Sequence, residues 1–523
     1  MTVMLVILAA TLSLYLRIDH FHHFASRHLW AEDGAVFLND ASAGWSALWR
    51  PYSGYIHLYP RLTALTSQYV ELINRPNILL CGWLISYALL VYSIARLMRT
   101  VGASPTHTAI AVALVSLQPN NGEVLFNITN SQWMIGAALF LIAITPRQDA
   151  GKISLVNLGV VTLMGLTGPF AALLTPIIVF FLWHKHTWKG NRSSYVAIIV
   201  SALIQSWILL SSDRMTTTKS IAPVSEWIIT FFRQITMGAA EPTTYIAAFL
   251  FISIASYLTA KAPKHSSERR TSTAIIIAFS VLVLASAYAF KDTPLLTSPL
   301  ASGVRYNWIP YTLAILYGMT ITARSGKKVK FLLVSLIAFM NLKSSSTIVA
   351  EELQFQSYAR LAAIRPVTIP IRPVLNIYPG WNIKAYPAPT LHRPPDIDTD
   401  FPASFLRNLS SSSATPLEDK HILFKSESGH ESFVIDIGDR CKTHLSVGLE
   451  IDMERSSDGF TALGWSDSEG FPEQNSLKRW YPKGVITAQF AFQRGHQSRF
   501  LQITPIDSQG TSIINSLRIY CLN

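Results

Sequence analysis

The sequence predicts a polytopic α-helical membrane protein of about eleven transmembrane helices followed by a C-terminal, external β-rich domain. Three observations carry that prediction. Of the 523 residues 50% are hydrophobic and 14% are charged, whereas an ordinary soluble domain is about 25% charged. Apolar runs approaching the thickness of a bilayer recur from residue 2 to residue 345, which excludes a simple soluble enzyme. After Glu351 prolines and short alternating stretches replace them.

A helix needs about 20 apolar residues to cross the hydrocarbon core, and fewer where its flanks snorkel. On that rule spans are predicted at 2–17, 77–95, 107–119, 131–145, 153–168, 170–184, 194–211, 243–260, 272–290, 307–323 and 329–345. The first resembles a signal-peptide core, but no basic residue precedes it and no small-residue cleavage site follows. It is expected to be retained. With a cytoplasmic N-terminus, alternate loops carry Arg96 and Arg99; Arg147 and Lys152; Lys185, Lys189 and Arg192; Lys261, Lys264, Arg269 and Arg270; and Arg324, Lys327, Lys328 and Lys330. The same loops hold two acidic residues, Asp149 and Glu268, so the positive-inside rule places them in the cytoplasm. This topology accounts for the net charge of +12 without a nucleic-acid partner. An odd number of spans then leaves the loops 18–75, 120–130, 212–242 and 291–306, and everything after about residue 346, on the far side.

Three regions follow. Residues 1–345 form the transmembrane domain, with a long first external loop at 18–75; residues 346–395 form a Pro-rich connector; residues 396–523 form a β-sandwich-like domain. The stretches Ser432–Ile437, His444–Ile451, Val485–Phe492 and Ser512–Cys521 alternate in polarity between Gly, Asp, Asn and Ser clusters and read as strands. Of the three cysteines, Cys81 lies in an apolar run, while Cys441 and Cys521 lie in the external part. An oxidising compartment would pair those two.

The first external loop is dense with polar and aromatic groups: Trp30-Ala31-Glu32-Asp33-Gly34, then Trp49-Arg50-Pro51-Tyr52-Ser53-Gly54-Tyr55-Ile56-His57-Leu58-Tyr59-Pro60-Arg61. Either Glu32 or Asp33 suits a general base accepting the proton of a sugar hydroxyl; the alternative is that one of them caps the helix that follows. The second external loop runs from Asn120 and Asn121 through Glu123 to Trp133. Its amides and indole match the polar edge and flat apolar face of a sugar, so Asn127, Asn130, Gln132 and Trp133 are candidate sugar contacts. The bland alternative is a helix cap and an interfacial aromatic. Arg305, in Gly303-Val304-Arg305-Tyr306-Asn307-Trp308, is the first choice for a phosphate clamp because a guanidinium binds phosphate bidentately. Arg61 and Arg50 are alternatives, Arg233 a weaker one, and snorkelling is the competing explanation for all of them. His20, His22, His23 and His28 lack familiar metal-ligand spacing, whereas His57 and Tyr59 sit inside the motif-like stretch and suit orientation of base or acceptor. No phosphate-cradling Gly-rich loop, nucleophile elbow or nucleotide fingerprint is present.

The pattern "EDG.VFL" followed by "PY.GY.HL.PR", behind a first helix and ahead of many short spans, is similar to bacterial members of the GT-C superfamily, polyprenyl-phosphate-sugar-dependent glycosyltransferases resembling the serotype-converting O-antigen glucosyltransferases. The architecture covers residues 1–345, the motif about 32–61. The resemblance implies an inner-membrane enzyme with a periplasmic active site and a periplasmic C-terminal domain. It implies transfer of a hexose, glucose first, from undecaprenyl-phosphate-sugar to a lipid-linked glycan such as the O-antigen of lipopolysaccharide. It places the catalytic base at Asp33 or Glu32, with inverting single displacement at the anomeric carbon. Arg305, Arg61 or Arg50 would hold the donor phosphate, and His57, Tyr59, Asn127, Asn130, Gln132, Trp133 and Tyr306 would line the substrate site. No cofactor is implied, and the absence of a spaced Asp-x-Asp leaves metal dependence open. The rival readings are a transporter or flippase of lipid-linked glycans, which requires polar groups buried along a path through the spans, and an O-antigen polymerase.

Overall fold

The computed structural model describes residues 2–19, 21–119, 123–145, 155–183, 188–212, 220–236, 241–263, 266–297, 303–344, 348, 350–375, 377, 380–387, 398–400, 414–416, 421–428, 431–437, 441, 444–466, 475–493 and 499–522. In chain order the α-helices are α1 (Thr2–Tyr15), α2 (Phe24–Arg27), α3 (Asn39–Ala41), α4 (Leu58–Ser67), α5 (Arg75–Thr100), α6 (Pro105–Ser116), α7 (Ser131–Ile144), α8 (Leu155–Gly165), α9 (Phe170–Trp183), α10 (Trp188–Leu210), α11 (Val224–Ile235), α12 (Pro242–Lys261), α13 (Ser267–Ala289), α14 (Arg305–Ile321), α15 (Lys327–Ser344) and α16 (Phe355–Ala362). The strands are β1 (Val367–Pro370), β2 (Asn382–Ala385), β3 (Asp398–Asp400), β4 (Ala414–Pro416), β5 (Ile422–Ser426), β6 (Phe433–Asp436), β7 (Ser446–Arg455), β8 (Gly459–Ser466), β9 (Ser476–Tyr481), β10 (Gly484–Gln493), β11 (Phe500–Thr504) and β12 (Gly510–Leu522).

Each of the eleven segments predicted to be apolar is helical, but they are not equivalent. Among the described residues four helices, Leu72–Thr100, Ser193–Leu210, Pro242–Lys261 and Glu268–Ala289, are long and apolar enough to cross a membrane. Thr2–Tyr15, Pro105–Ser116, Ser131–Ile144, Leu155–Gly165 and Phe170–Val179 are apolar but shorter. At 1.5 Å per residue a helix of that size rises about 20 Å, well under a hydrocarbon core of about 30 Å. The expectation of about eleven spans is therefore corrected: among the described residues four helices are of spanning length.

Packing divides the chain into two units, Met1–His22 with Asp40–Ser67 and Asn77–Ala350, and His23–Asn39 with Gln68–Pro76 and Glu351–Asn523. The first loop predicted at 18–75 is thus shared between the two. In the helical unit α13 lies along α14, α1 along α6, and α10 along both α8 and α9. α7 is the centre of this unit: every residue from Ser131 to Ile144 is buried, by α8, α9, α10 and α14 among others. An evenly apolar helix with no wet face belongs inside other helices.

The helices also hold buried polar pairs, which the sequence reading, expecting almost none, did not foresee. His107 Nε2 meets the Met319 carbonyl at 2.8 Å, Gln118 Nε2 donates to Thr312 Oγ1 at 2.9 Å, and Asn341 Nδ2 donates to the Leu114 carbonyl at 2.8 Å. These bonds tie the segment around α6 to α14 and α15, in a medium where an unmet polar group is costly.

The other unit is built on two antiparallel sheets. One has the order β10-β7-β12-β5-β4 with β3 also on β12, the other β6-β11-β8-β9. All four strands predicted there are present as β6, β7, β10 and β12. Inward residues alternate with outward ones, as in β6 and β11, and Trp465 stacks on Phe492 with ring centroids 4.6 Å apart in the core. Cys441 and Cys521 form a disulfide, with Cα atoms 5.2 Å apart across 80 residues of chain. Buried Glu450 accepts from Arg365 at 2.8 Å and Arg518 at 3.0 Å.

The region predicted as a connector at 346–395 carries more structure than a linker. It contains α16 and the antiparallel pair β1–β2, with Val367 opposite Ala385, and α16 packs on β10 and β7; residues 388–397 lie outside the described ones. Removing the disulfide opens an 80-residue loop in the unfolded chain, for which loop entropy predicts a loss of about 4 kcal/mol. Cys441→Ser with Cys521→Ser is expected to lower the thermal transition of this unit markedly, and reductant is expected to do the same to the parent protein. A transition unmoved by both would show that the bond contributes little.

Candidate functional site

In the helical unit, segments far apart in sequence meet where α7 and α14 begin. The loop from Glu123 to Asn130 enters α7 and is knotted by its own amides. Asn127 Nδ2 donates to the Glu123 carbonyl at 2.6 Å, and Asn130 Nδ2 donates to the same carbonyl at 2.7 Å. Asn127 Oδ1 accepts from the Asn130 backbone at 3.0 Å, and Asn130 Oδ1 accepts the Trp133 indole N–H at 3.1 Å. Glu123, Asn127, Asn130, Gln132 and Trp133 are all buried. The amides predicted to meet a sugar thus act first on the loop, and what they position is Trp133. Its ring meets Tyr306 edge-on at 5.3 Å and Phe170 at 5.1 Å.

Arg305 is the first residue of α14, donates to the Glu123 carboxylate, and lies over the Tyr306 ring at 5.3 Å. Its side chain is 30% exposed while that of Glu123 is 4% exposed. Gly303 N–H donates to the Leu296 carbonyl at 2.9 Å, and a Cβ at Gly303 would collide with that oxygen. Asn307 donates to the Thr297 carbonyl. Two helix N-termini and one guanidinium therefore share a small volume, a positive environment that Glu123 partly offsets.

A second polar group lies in the same unit. Buried Arg61 donates to Asp40 at 2.8 Å, and exposed Arg50 reaches the same carboxylate at 3.2 Å. His57 is buried with its ring 4.7 Å from that of Tyr55 and 5.8 Å from that of Tyr52. The backbone here is held to the turn after α8: Leu58 N–H donates to the Leu166 carbonyl and Gly168 N–H to the Ile56 carbonyl. Gln205 holds Ile56 through both its N–H and its carbonyl, at 2.9 and 3.0 Å. Tyr59 donates its hydroxyl to the Gly82 carbonyl at 2.6 Å, and desolvation raises its pKa to about 12. It stays a donor throughout the working pH range.

The acidic pair belongs to the other unit. Asp33 is 1% exposed, opens the π-helical turn Asp33–Leu38, and its Oδ2 accepts the Trp30 backbone N–H at 2.9 Å. This bond ties the Asp33 carboxylate back to the backbone three residues earlier. Glu32 is half-buried. Gly34 completes the motif for a steric reason: a Cβ there would stand 2.5 Å from both Ile371 and Ile383, so β1 and β2 close directly on it. Asn39 takes the Lys384 N–H at 3.0 Å and extends this seam.

Of the predicted residues, Arg305, Tyr306, Asn127, Asn130 and Trp133 come together at one place, with Gln132 in the same first turn of α7. Arg61 and Arg50 share Asp40 instead, and His57 and Tyr59 belong to the clamp at the turn after α8. Sequence reasoning missed Glu123 and Asp40. Each carried a signal: Glu123 was the one acid in an amide-rich loop, and Asp40 follows Asp33 by seven residues, two helical turns. Among the described residues no three His, Cys, Asp or Glu side chains stand together as a metal site would need; His20 lies outside them.

No family profile matches the chain, and no curated protein matches it in sequence. A solved structure titled BiXyn10A CBM1 is 12% identical with a TM-score of 0.18, over 24% of this chain and 99% of that one. A family 29 carbohydrate binding module from Piromyces equi is 7% identical with a TM-score of 0.17, over 22% and 79%. A family GH115 4-O-methyl-α-glucuronidase, BtGH115A, is 9% identical with a TM-score of 0.20, over 66% and 48%. These likenesses are too slight to bear on the reading.

Asn130→Ala leaves the buried Trp133 indole N–H without its acceptor, at about 1–3 kcal/mol, and takes one of the two amide donors from the Glu123 carbonyl, which keeps Asn127. The purified variant is expected to melt several degrees below the parent, and Trp133 fluorescence is expected to change. An unchanged melting point would mean that the loop is held in some other way.

Proposed function

We propose that this chain is a GT-C-type glycosyltransferase of the inner membrane, taking a hexose from a polyprenyl-phosphate donor and passing it to a hydroxyl of a lipid-linked glycan in the periplasm. The observation that supports this reading best is the meeting of Arg305, Glu123, Trp133 and Tyr306 at the starts of α7 and α14. A guanidinium beside two helix N-termini suits a phosphate, and aromatic faces beside it suit a sugar ring. Cys441 bonded to Cys521 agrees with a C-terminal unit outside the cytoplasm.

In the proposed reaction the acceptor oxygen attacks the anomeric carbon as the bond from that carbon to the phosphate oxygen breaks. The hydroxyl proton passes to a carboxylate, Asp33 or Glu32 by the motif's resemblance, and the lipid phosphate leaves with the bonding pair. Single displacement inverts the anomeric centre. Arg305 would hold the leaving phosphate and stabilise the charge gathering on it. To do so it must share its guanidinium with Glu123 or exchange one partner for the other, and bidentate geometry allows sharing. Arg61 has the same chemistry but is paired with Asp40 and 2% exposed, which makes it the weaker clamp; Arg50 is open to solvent and shares the same Asp40.

The second reading, movement of a lipid-linked glycan without chemistry, draws support from the buried polar pairs at His107, Gln118 and Asn341. Each bonds a neighbouring helix at one atom, while His107 Nδ1, Gln118 Oε1 and Asn341 Oδ1 are buried without a hydrogen-bond partner among the described residues, so these pairs are not fully used up by packing. Reconstituted protein given polyprenyl-phosphate-glucose and a lipid-linked glycan separates the readings. Transfer of sugar is expected, falling about 10²-fold or more in whichever of Asp33→Asn and Glu32→Gln removes the base, and falling in Arg305→Ala with partial recovery in Arg305→Lys. Full activity in both carboxyl variants would remove the base assignment, and translocation without transfer would establish the second reading.

A further inference from the structure

α11 stands in what the sequence reading treated as a plain external loop, and its polarity is inside out. Val224, Ile228, Phe231 and Phe232 form one apolar stripe at helical spacing and are 73%, 51%, 58% and 47% exposed. The opposite side faces the protein with polar groups: Thr230 is 4% exposed, and Gln234 Nε2 donates to Thr297 Oγ1 at 3.3 Å. A helix surrounded by water buries its apolar stripe. One that buries threonine, with Trp227 and Gln234 half-buried beside it, while presenting valine, isoleucine and phenylalanine is matched to an apolar exterior.

We propose that α11 lies in the plane of the outer membrane–water interface, its apolar stripe sunk among lipid chains. Two further observations fix the occupant as lipid. The Ala222 N–H donates to the Lys291 carbonyl at 2.8 Å, just past the end of α13, and Phe232 meets Tyr245 at the start of α12 with centroids 5.9 Å apart. α11 is therefore pinned across the same ends of two helices of spanning length. The stripe is also continuous with their outward faces, where Ile246 and Phe249 of α12 are 61% and 70% exposed and Tyr288 of α13 is 67% exposed. A helix of 12 residues is about 18 Å long, too short to cross but suited to lie flat, where such helices sink about 5–10 Å.

The placement has a consequence for the site. Thr297, which α11 holds by its side chain, takes the Asn307 amide on its carbonyl, two residues from Arg305. The hydrocarbon boundary is thus brought beside the guanidinium, as a donor with its phosphate at Arg305 and its prenyl chain in the membrane requires. This last step rests on the transferase reading, whereas the seating of α11 does not.

The test is site-directed spin labelling of full-length protein in liposomes, with Cys81→Ser removing the free thiol and the disulfide kept oxidised. Labels at Ile228→Cys and Phe231→Cys, with Val224→Cys as a second position on the stripe, are expected to collide with oxygen several-fold more than with a water-soluble nickel chelate, relative to a label at Val485→Cys, 76% exposed in the β unit. A label at Thr230→Cys, at a position 4% exposed, is expected to be shielded from both. Stripe labels as open to nickel as position 485, or shielded from both reagents, would overturn the proposal. A lipid-facing stripe on a protein that transfers no sugar would sink the transferase alone, and a wet stripe on an active transferase would sink this inference alone.

Discussion

The helical unit depends on a single constraint: α7 is buried along its whole length, yet its first turn is Ser131, Gln132 and Trp133. Polar groups at the start of such a helix cannot turn to water, so they must be met by other protein atoms. The Glu123–Asn130 loop meets part of that demand, taking the Ser131 hydroxyl on the Ile128 carbonyl and the Trp133 indole on Asn130 while Gln132 Oε1 stays buried without a partner among the described residues. It is itself held by two side-chain amides converging on the one carbonyl oxygen of Glu123. Once the loop is knotted, Trp133 has little freedom, and the rings of Tyr306 and Phe170 are placed by it. Arg305 follows, because its partner Glu123 belongs to the same knot.

Two carboxylates of this unit are thereby given to arginines, Glu123 to Arg305 and Asp40 to Arg61 and Arg50. Breaking a buried pair by deleting one member costs about 3–5 kcal/mol, because a charge is left unmet. In the proposed reaction a phosphate that shares the Arg305 guanidinium leaves Glu123 its partner, whereas a full exchange would strand that buried carboxylate. Glu123 then serves in the resting protein to keep the guanidinium extended and aimed, and the same pairing argues against Glu123 or Asp40 as proton acceptors. Asp33 Oδ2, in the other unit, accepts the Trp30 backbone N–H.

What could be read in the sequence follows from which forces act locally. Helical positions were legible because apolar runs report the medium residue by residue, and the strands β6, β7, β10 and β12 were legible from alternation. Spanning length was not, because it depends on where helices start and stop: α6 opens at the Ser104 cap and ends at Ser116, boundaries set by caps and neighbours more than by hydropathy. The pairing of Arg305 with Glu123 joins residues 182 apart, and the chain offers no local trace of it. Gly34 was visible as part of a motif, but its reason, the close approach of Ile371 and Ile383, lies more than three hundred residues away. Grouping Glu32 and Asp33 with the long helical domain failed for the same cause: the seam from Gly34 to Asn39 is completed by β1 and β2, inside the stretch read as a connector.

α11 marks the limit of such reading. Its alternation of Val224, Ile228 and Phe231 with Glu226, Thr230 and Arg233 is amphipathic whichever way it is turned, and the pattern alone fits a soluble helix docked on a core equally well. Only the side that packs decides. The buried side here is the polar one, which reverses the usual inference and makes the exterior the apolar phase. Hydrophobic patterning thus measures contrast across a helix, and the sign of that contrast is supplied by the neighbours: Thr297 on one side, and on the other the medium that α12 and α13 already face.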